Sequence, residues 1–196
     1  MEKILLFIKH KLPFIWQFFD RGNGLIFQLF FGKKLEKIIE KILPSNELNQ
    51  YTFRSVLPSD LEALSNMLQA QSPAQVQYFR PHGFSVKNLK KQLDNPAFLM
   101  MAAFDTNGQI VAYFFLRFFV NGKVFLGRIV DQNHQRKGIG SAMNGILYHI
   151  AKAMSFRLFT TISQHNTAIQ SLHARHSQMV VHKNLGNGYQ LVEILL

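Results

Sequence analysis

Apolar positions recur in two periods along this chain of 196 residues. Leu35, Ile38, Ile39 and Ile42 stand at i, i+3, i+4 and i+7 with Lys and Glu between them, the spacing of an amphipathic helix. Ile4, Ile8, Leu12, Ile15 and Phe19 predict an earlier helix, bent near Pro13 because proline lacks the N–H that a helix interior uses. After Pro44-Ser45-Asn46 the period shortens, and Tyr51 to Val56 reads as a strand. Pro58-Ser59-Asp60 opens a helix through about Ala70 with Leu61, Leu64 and Leu68 on one face. Residues 74 to 94 predict two short helices separated by Arg80-Pro81-His82-Gly83. Three antiparallel strands follow, Phe98 to Phe104, Gln109 to Phe119 and Lys123 to Val130, because Asp105-Thr106-Asn107-Gly108 and Asn121-Gly122 are hairpin turns between apolar runs. A helix of about four turns runs from Ile139 to Met154, and Phe156 to Ser163 is rich enough in β-branched and aromatic residues for a strand. Ser163 or Asn166 caps a helix through Arg175, and Gln178 to Lys183 and Tyr189 to Leu195 close the chain as strands around Gly186-Asn187-Gly188. Periodicity alone supports a mixed α/β (α+β) fold with hairpins.

The polar stretch between the strand ending at Val130 and the helix after it carries the densest chemistry. It reads Val130-Asp131-Gln132-Asn133-His134-Gln135-Arg136-Lys137-Gly138-Ile139-Gly140-Ser141, with two basic residues before two glycines one apart. Unpaired N–H groups at a helix start point outward, the macrodipole favours negative charge, and glycines let a phosphate approach the backbone. A dinucleotide loop wants a third glycine and an acidic residue about twenty positions on, whereas position 160 is Thr; a Walker loop wants Gly-Lys-Ser/Thr, which nothing matches.

The spacing Gln135-x-x-Gly138-x-Gly140 resembles the acyl-CoA pyrophosphate loop of the GNAT superfamily of N-acetyltransferases, whose pattern is Arg or Gln, two residues, Gly, one residue, Gly or Ala. Downstream, Asn166 follows the next strand where the family's Asn reaches toward the pantetheine arm. Seven residues later His173 stands where the family often has a Tyr that protonates the leaving thiolate. The resemblance covers residues 51 to 196. It implies a mixed, mostly antiparallel sheet flanked by helices, in the order strand, helices, three strands, helix, strand, helix, two strands. Its fourth and fifth strands splay, and acetyl-CoA lies in the opening. Ile129 and Val130 would then offer backbone groups to the pantetheine. The N–H groups from Arg136 and Lys137 through Gly138, Ile139, Gly140 and Ser141 would cradle the pyrophosphate, with Gln135 opening the motif and Arg136 and Lys137 adding charge.

The implied reaction is direct transfer to an amine, so no Ser or Cys nucleophile is required. Many members carry a Glu on the fourth strand to deprotonate the ammonium. Here Val124 to Val130 holds no carboxylate, and Asp131 is the nearest. Asp131 and His173 are the candidate proton-handling residues, the latter because histidine titrates near neutrality. His134 is expected to pack in the turn, Tyr148 to join the core, and Gly127 to mark a bulge where the cofactor approaches. In the resemblance, the segment from Gln77 to Phe84 borders the acceptor. Tyr78, Arg80 and His82 there, with Arg117 and Arg128 on neighbouring strands, are expected to gather at one mouth and to suit a small anionic amine, an amino sugar or its nucleotide-linked form. A non-catalytic acyl-CoA-binding module on the same fold is the alternative.

Composition changes character once, dividing a helical appendage (1–46) from the main domain (47–196). Residues 1 to 43 hold the only Trp, Trp16, and the basic Lys3, Lys9, Lys11, Arg21, Lys33, Lys34, Lys37 and Lys41 against Glu2, Asp20, Glu36 and Glu40. The longest uncharged apolar stretch there, Gly22 to Gly32, is far below the roughly 20 residues of a membrane span. Broken apolar runs and the lack of a small-residue cleavage site argue against a signal peptide. Two readings stay open: an in-plane anchor at the membrane, or packing on the domain or in a homodimer. The formal charge of +11 suits phosphorylated ligands or anionic lipid; its scatter along the chain argues against nucleic acid as partner. The chain has no cysteine, which excludes disulfides, thiolate zinc sites and a Cys nucleophile. No metal is expected. A cytoplasmic setting, with the appendage against the inner face of the membrane under the anchor reading, fits these features.

Overall fold

The computed structural model describes residues 13–43, 48, 50–79, 81–164 and 178–196, with the backbone alone for 13–18. Among the described residues, seven strands form one sheet: β1 (Thr52–Ser55), β2 (Phe98–Phe104), β3 (Ile110–Phe119), β4 (Lys123–Val130), β5 (Arg157–Ser163), β6 (Gln178–Asn184) and β7 (Tyr189–Leu195), in the order β1-β2-β3-β4-β5-β7-β6. All neighbouring pairs are antiparallel except β4 and β5. The helices are α1 (Pro13–Phe27), α2 (Lys33–Ile42), α3 (Leu61–Gln69), α4 (Pro73–Val76), α5 (Val86–Leu93) and α6 (Ile139–Met154). The strand and helix order implied by the resemblance is therefore present among the described residues, apart from the helix between β5 and β6. The expected helix from Ser163 or Asn166 to Arg175 lies outside them.

Side chains alternate between the two faces of the sheet. One face, carrying Phe114, Leu116, Phe118, Val124, Leu126 and Leu158, packs on α6 through Met143, Ile146, Leu147, Ile150 and Met154. Those α6 residues recur at three and four, so one stripe of the helix is buried. Ser155, in the left-handed region, ends the helix and returns its N–H to the Ala151 carbonyl. The other face, carrying Met100, Ala102, Tyr113, Phe115 and Ile129, packs on Leu64 and Leu68 of α3 and Leu89 of α5.

The N-terminal helix is continuous from Pro13 to Ile42, with a π-helical turn at Gln28–Gly32 between α1 and α2. The departure from α geometry thus sits at that turn; residues before Pro13 lie outside the described set. A stripe of Phe27, Phe31, Leu35, Ile38, Ile39 and Ile42 joins the core on the α6 face. Phe27 is fully buried, stacked on Phe118 with centroids 4.8 Å apart. Burying one such ring contributes about 1.5–3 kcal/mol. Polar ties fix the contact: Asn23 donates through Nδ2 to the Phe118 carbonyl (2.9 Å) and accepts from the Val120 N–H (3.0 Å), and Asp20 pairs with Arg117 at 2.6 Å. For this inner face, packing on the domain is the correct reading.

Gly127 does not mark a bulge. The β3–β4 register runs unbroken from Ala112/Val130 to Phe119/Lys123, and Gly127 lies opposite Phe115. A Cβ on Gly127 would meet Cε1 and Cζ of the Phe115 ring at 2.4 Å. That ring is held by stacking on Phe98, with centroids 4.7 Å apart. We expect Gly127→Ala to lose about 1–3 kcal/mol in urea denaturation and Gly127→Ala/Phe115→Leu to recover part of it. A Gly127→Ala variant as stable as the parent would show that the ring yields freely.

Candidate active site

Strands β4 and β5 pair only at their starts, Lys123–Arg157, Val124–Leu158 and Phe125–Phe159, and then part. Beyond that point β5 stays paired with β7 through Ser163–Tyr189, while β4 stays with β3 through Val130–Ala112. A wedge opens between them, toward the turn that follows Val130. The Asp131 N–H donates to the Val111 carbonyl at 2.8 Å. Because backbone groups alternate along a strand, Val130 and Arg128 turn theirs into the wedge and Ile129 turns its own to β3. Of the two residues named from sequence, Val130 therefore has a free backbone edge. The Ile129 side chain is buried on the α3 face.

The turn is built by Asp131. Its Oδ1 accepts from the Asn133 N–H (2.9 Å) and lies 3.3 Å from His134 Nδ1, while Oδ2 accepts from Gln71 Nε2 (2.8 Å). Burial alone would raise this carboxyl, but the bonds from Gln71, Asn133 and His134 outweigh it and hold it below the usual range. With both oxygens engaged and its basicity reduced, Asp131 is a turn-forming residue and a poor general base. His134 packs edge-on against Tyr51.

Gln135, Arg136, Lys137 and Gly138 are exposed. Arg136 (φ 60°) and Gly138 (φ 85°) take left-handed conformations that turn the chain into α6. Gly138 caps the helix without a side-chain bond, and its carbonyl receives Ser141 and Ala142. The Ile139 and Gly140 N–H groups are first-turn donors with no intrahelical acceptor. A helix start of this kind has the geometry to receive an anion, and it stands next to the open edge of β4. The Ile139 side chain is buried and anchors the turn, and Ser141 is exposed beside it.

Arg128 lies beneath that helix start and away from the acceptor face. Its buried guanidinium donates through Nη1 to the Gly140 carbonyl (3.1 Å) and to Asn144 Oδ1. Burial lowers its pKa to about 10, opposed by nearby Tyr148, so it remains a cation at neutral pH. Arg117 is on the opposite face and is ion-paired with Asp20. The expectation that the two arginines share an acceptor mouth is corrected. Residues that oppose each other across β3 and β4 share a face, and Arg117 pairs with Phe125, three residues from Arg128.

His82 is also committed. Its Nδ1 lies 3.0 Å from the Gly83 carbonyl, which can only accept, so Nδ1 carries the proton and Nε2 accepts from the buried Tyr113 hydroxyl at 3.0 Å. Phe84, Phe98, Tyr113 and Phe115 surround the ring. Burial lowers its pKa, the Gly83 carbonyl works against that, and the Arg117 charge adds to it. His82 therefore fastens the loop between α4 and α5. In the unfolded chain an imidazole takes up a proton near 6.5. Below that pH the unfolded state binds more protons, so the stability His82 contributes is present above about 6.5 and lost as pH falls through its lower folded value. The thermal midpoint should drop from pH 7.5 to 5.5 more steeply in the parent than in His82→Phe; parallel profiles would contradict this.

Around the wedge on this face stand residues that the sequence did not single out. Tyr189, paired with Ser163 at the end of β5, donates its hydroxyl to the Gln77 carbonyl (3.2 Å), next to the exposed Tyr78. Near the crotch, Phe125 stacks on Phe159. The His182 ring lies edge-on to Phe159, and its Nε2 is 2.6 Å from Glu193 Oε2. The buried Glu193 also receives Arg157, through Nε (2.8 Å) and Nη2 (2.6 Å). The bond from Arg157, then that from His182, hold the Glu193 carboxyl below its usual range against the opposing effect of burial. His182 is the unpaired residue where the β6–β7 register shifts between Val181 and Lys183, a bulge that re-aims its side chain. Arg80, Asn166 and His173 lie outside the described residues. Among the described residues, no group of three or more His, Cys, Asp or Glu could hold a metal ion.

A sheet parted between its fourth and fifth strands, with a helix starting at the mouth, is the arrangement that the sequence resemblance implies. The model of the acetyltransferase (GNAT) family matches residues 61–177, more than half of the chain, and the chain belongs to that family. It is an acyltransferase of the N-acetyltransferase type. Solved structures with the same fold include the spermidine N-acetyltransferase from Vibrio cholerae in complex with CoA and spermine (16% identity, 74% of this chain and 94% of that one, TM-score 0.59). The ribosomal-protein-S5-alanine acetyltransferase from Vibrio fischeri aligns similarly (16%, 75% and 93%, 0.59), as does the PaiA N-acetyltransferase from Thermoplasma acidophilum in complex with coenzyme A (16%, 73% and 97%, 0.59). No curated protein matches the chain.

Proposed function

We propose that this enzyme moves an acetyl group from acetyl-CoA directly to the amine of a small molecule, with an amino sugar or its nucleotide-linked form as the favoured acceptor. The observation that carries this is the wedge between β4 and β5 opening onto the cradle at Gly138. The residues present fit the cosubstrate: Val130 offers an unpaired strand edge to the pantetheine amides, and Ile139 and Gly140 offer first-turn N–H groups to the pyrophosphate. Arg136 and Lys137 add exposed charge, and Arg128 a buried one. Acetyl-CoA supplies the thioester. Tyr78 and Tyr189 flank the acceptor side and present aromatic surface suited to a sugar ring, with Arg80 in the same segment for an anionic group.

Proton handling falls to histidines in this reading. His182, held on Glu193 through Nε2, keeps the Nδ1 lone pair to take the ammonium proton. His173, in the place of the family's Tyr, returns a proton to the thiolate, and Asn166 contacts the pantetheine arm. The test is a thiol-release assay with acetyl-CoA and a panel of amines led by amino sugars and their nucleotide-linked forms. We expect turnover with an amino sugar, and His182→Phe or His173→Phe to lower kcat about a hundredfold with the KM for acetyl-CoA little changed. Unchanged kcat in either variant removes that histidine from the reaction.

One set of observations favours a second reading, an acyl-CoA-binding module without turnover: β4 carries no carboxylate, Phe115 fills the space over Gly127, and Asp131 is used up in its turn. Acetyl-CoA binding without acetylation of any amine would select it. The remaining part of the proposal is a cytoplasmic enzyme held at the inner face of the membrane. A homodimer through the N-terminal helix is the rival arrangement.

A further inference from the structure

Among the described residues, no helix is long and apolar enough to cross a membrane. The N-terminal helix nonetheless exposes more apolar surface than its packing explains. Opposite the stripe of Phe27, Phe31 and Leu35 that docks on the core, Phe19 is 56%, Leu25 70%, Ile26 47%, Leu29 78% and Phe30 71% exposed. Large apolar side chains scattered singly are normal on a protein surface; five within three turns of one helix, all on the side away from the core, form a patch. The π-helical turn at Gln28–Gly32 adds a residue to the ladder and keeps both sides in phase: Phe27, Phe31 and Leu35 stay inward while Ile26, Phe30 and Lys33 stay outward. The outward row then continues through exposed Lys37 and Lys41. The outer surface is thus apolar and aromatic over its first half and basic over its second. Glu36 and Glu40 are the acidic residues of that second half.

We infer that this outer face lies on an anionic lipid bilayer, with Phe19, Leu25, Ile26, Leu29 and Phe30 in the acyl boundary and Lys33, Lys37 and Lys41 at the headgroups. Charge selects this occupant. An apolar, aromatic patch continued by a row of exposed lysines is complementary to a surface that is apolar inside and anionic at its headgroups. The chain's formal charge of +11 acts in the same direction. The helix is tied down by Asn23, Asp20 and Phe27, so the lipid would meet a preformed surface. The inference is independent of the acceptor and of turnover.

The test is co-sedimentation of the full chain with phosphatidylglycerol/phosphatidylcholine vesicles and with phosphatidylcholine vesicles alone. Leu29→Gln/Phe30→Gln and Lys33→Gln/Lys37→Gln are compared with the parent, with light scattering for mass and acetyl-CoA titration as the control for folding. We expect binding to the anionic vesicles that weakens with salt, about tenfold or more loss of partitioning in the Leu29/Phe30 variant, a smaller loss in the lysine variant, and unchanged acetyl-CoA binding in both. Failure of the folded parent to bind vesicles, equal binding to neutral vesicles, or a parent dimer that the Leu29/Phe30 variant splits would each overturn it. Failure of acetyl-CoA to bind in the parent would touch only the enzymatic proposal.

Discussion

Gly138→Val is expected to weaken acetyl-CoA binding about a hundredfold, roughly 2.7 kcal/mol, while the chain stays folded. Gly138 sits at φ 85°, where a residue with a Cβ pays about 1–2 kcal/mol and a β-branched one more. The cap must either strain or turn, and turning it would re-aim the Ile139 and Gly140 N–H groups proposed to receive the pyrophosphate. A Cβ would lie in ordinary contact with Leu48 Cδ2, at 3.4 Å, so the cost comes from the backbone conformation. The core survives because the buried stripe of α6 starts with Ile139 and owes nothing to the glycine. Gly145→Ala, further along α6 with nothing within 4 Å of its Cβ, is the matched control: it should gain about 0.5–1 kcal/mol of stability and leave binding alone. Calorimetry on the two variants separates loop geometry from helix propensity. Normal acetyl-CoA affinity in Gly138→Val would remove the cradle from the binding site.

Arg128→Met comes second in size and acts from below. It deletes the buried cation and leaves the Gly140 carbonyl and Asn144 Oδ1 without a donor that they have in the parent. An unsatisfied buried acceptor costs about 1–3 kcal/mol, so the variant should unfold at lower urea. It should also bind acetyl-CoA about tenfold less tightly, because a poorly solvated charge under the cradle acts on the pyrophosphate through a lower dielectric than the exposed Arg136 and Lys137 do. Adding Asn144→Leu should restore part of the stability without restoring affinity, since it removes one orphaned acceptor and returns no charge. Recovery of both together would mean that Arg128 matters only as a strut.

Most of the fold was legible because its elements are punctuated. Asn121-Gly122 fixes the β3–β4 hairpin, and α6 runs from Ile139 to Met154 as its apolar spacing predicts. The turn into α6 was legible too, since Gly138 and Gly140 stand between the strand and the helix. The acceptor side was misread for a reason the sequence contained. Once the turn pairs Phe119 with Lys123, Arg117 falls opposite Phe125 and Gly127 opposite Phe115. Arg128 then lies on the other face, and the glycine is explained by a ring. His182 and Glu193 were missed because a bulge breaks the alternation that would have placed them together. Tyr189 gave no signal, since its contact with Gln77 spans 112 positions. The π-helical turn at Gln28–Gly32 has no mark in composition.

The most direct test of the central claim is calorimetric titration of the purified chain with acetyl-CoA, with ATP and NADH as controls. Saturable binding of acetyl-CoA, absent for both controls and lost in Gly138→Val, is the predicted result. A folded chain that binds no acetyl-CoA, or binds all three alike, would contradict the assignment of the wedge and its cradle as an acetyl-CoA site.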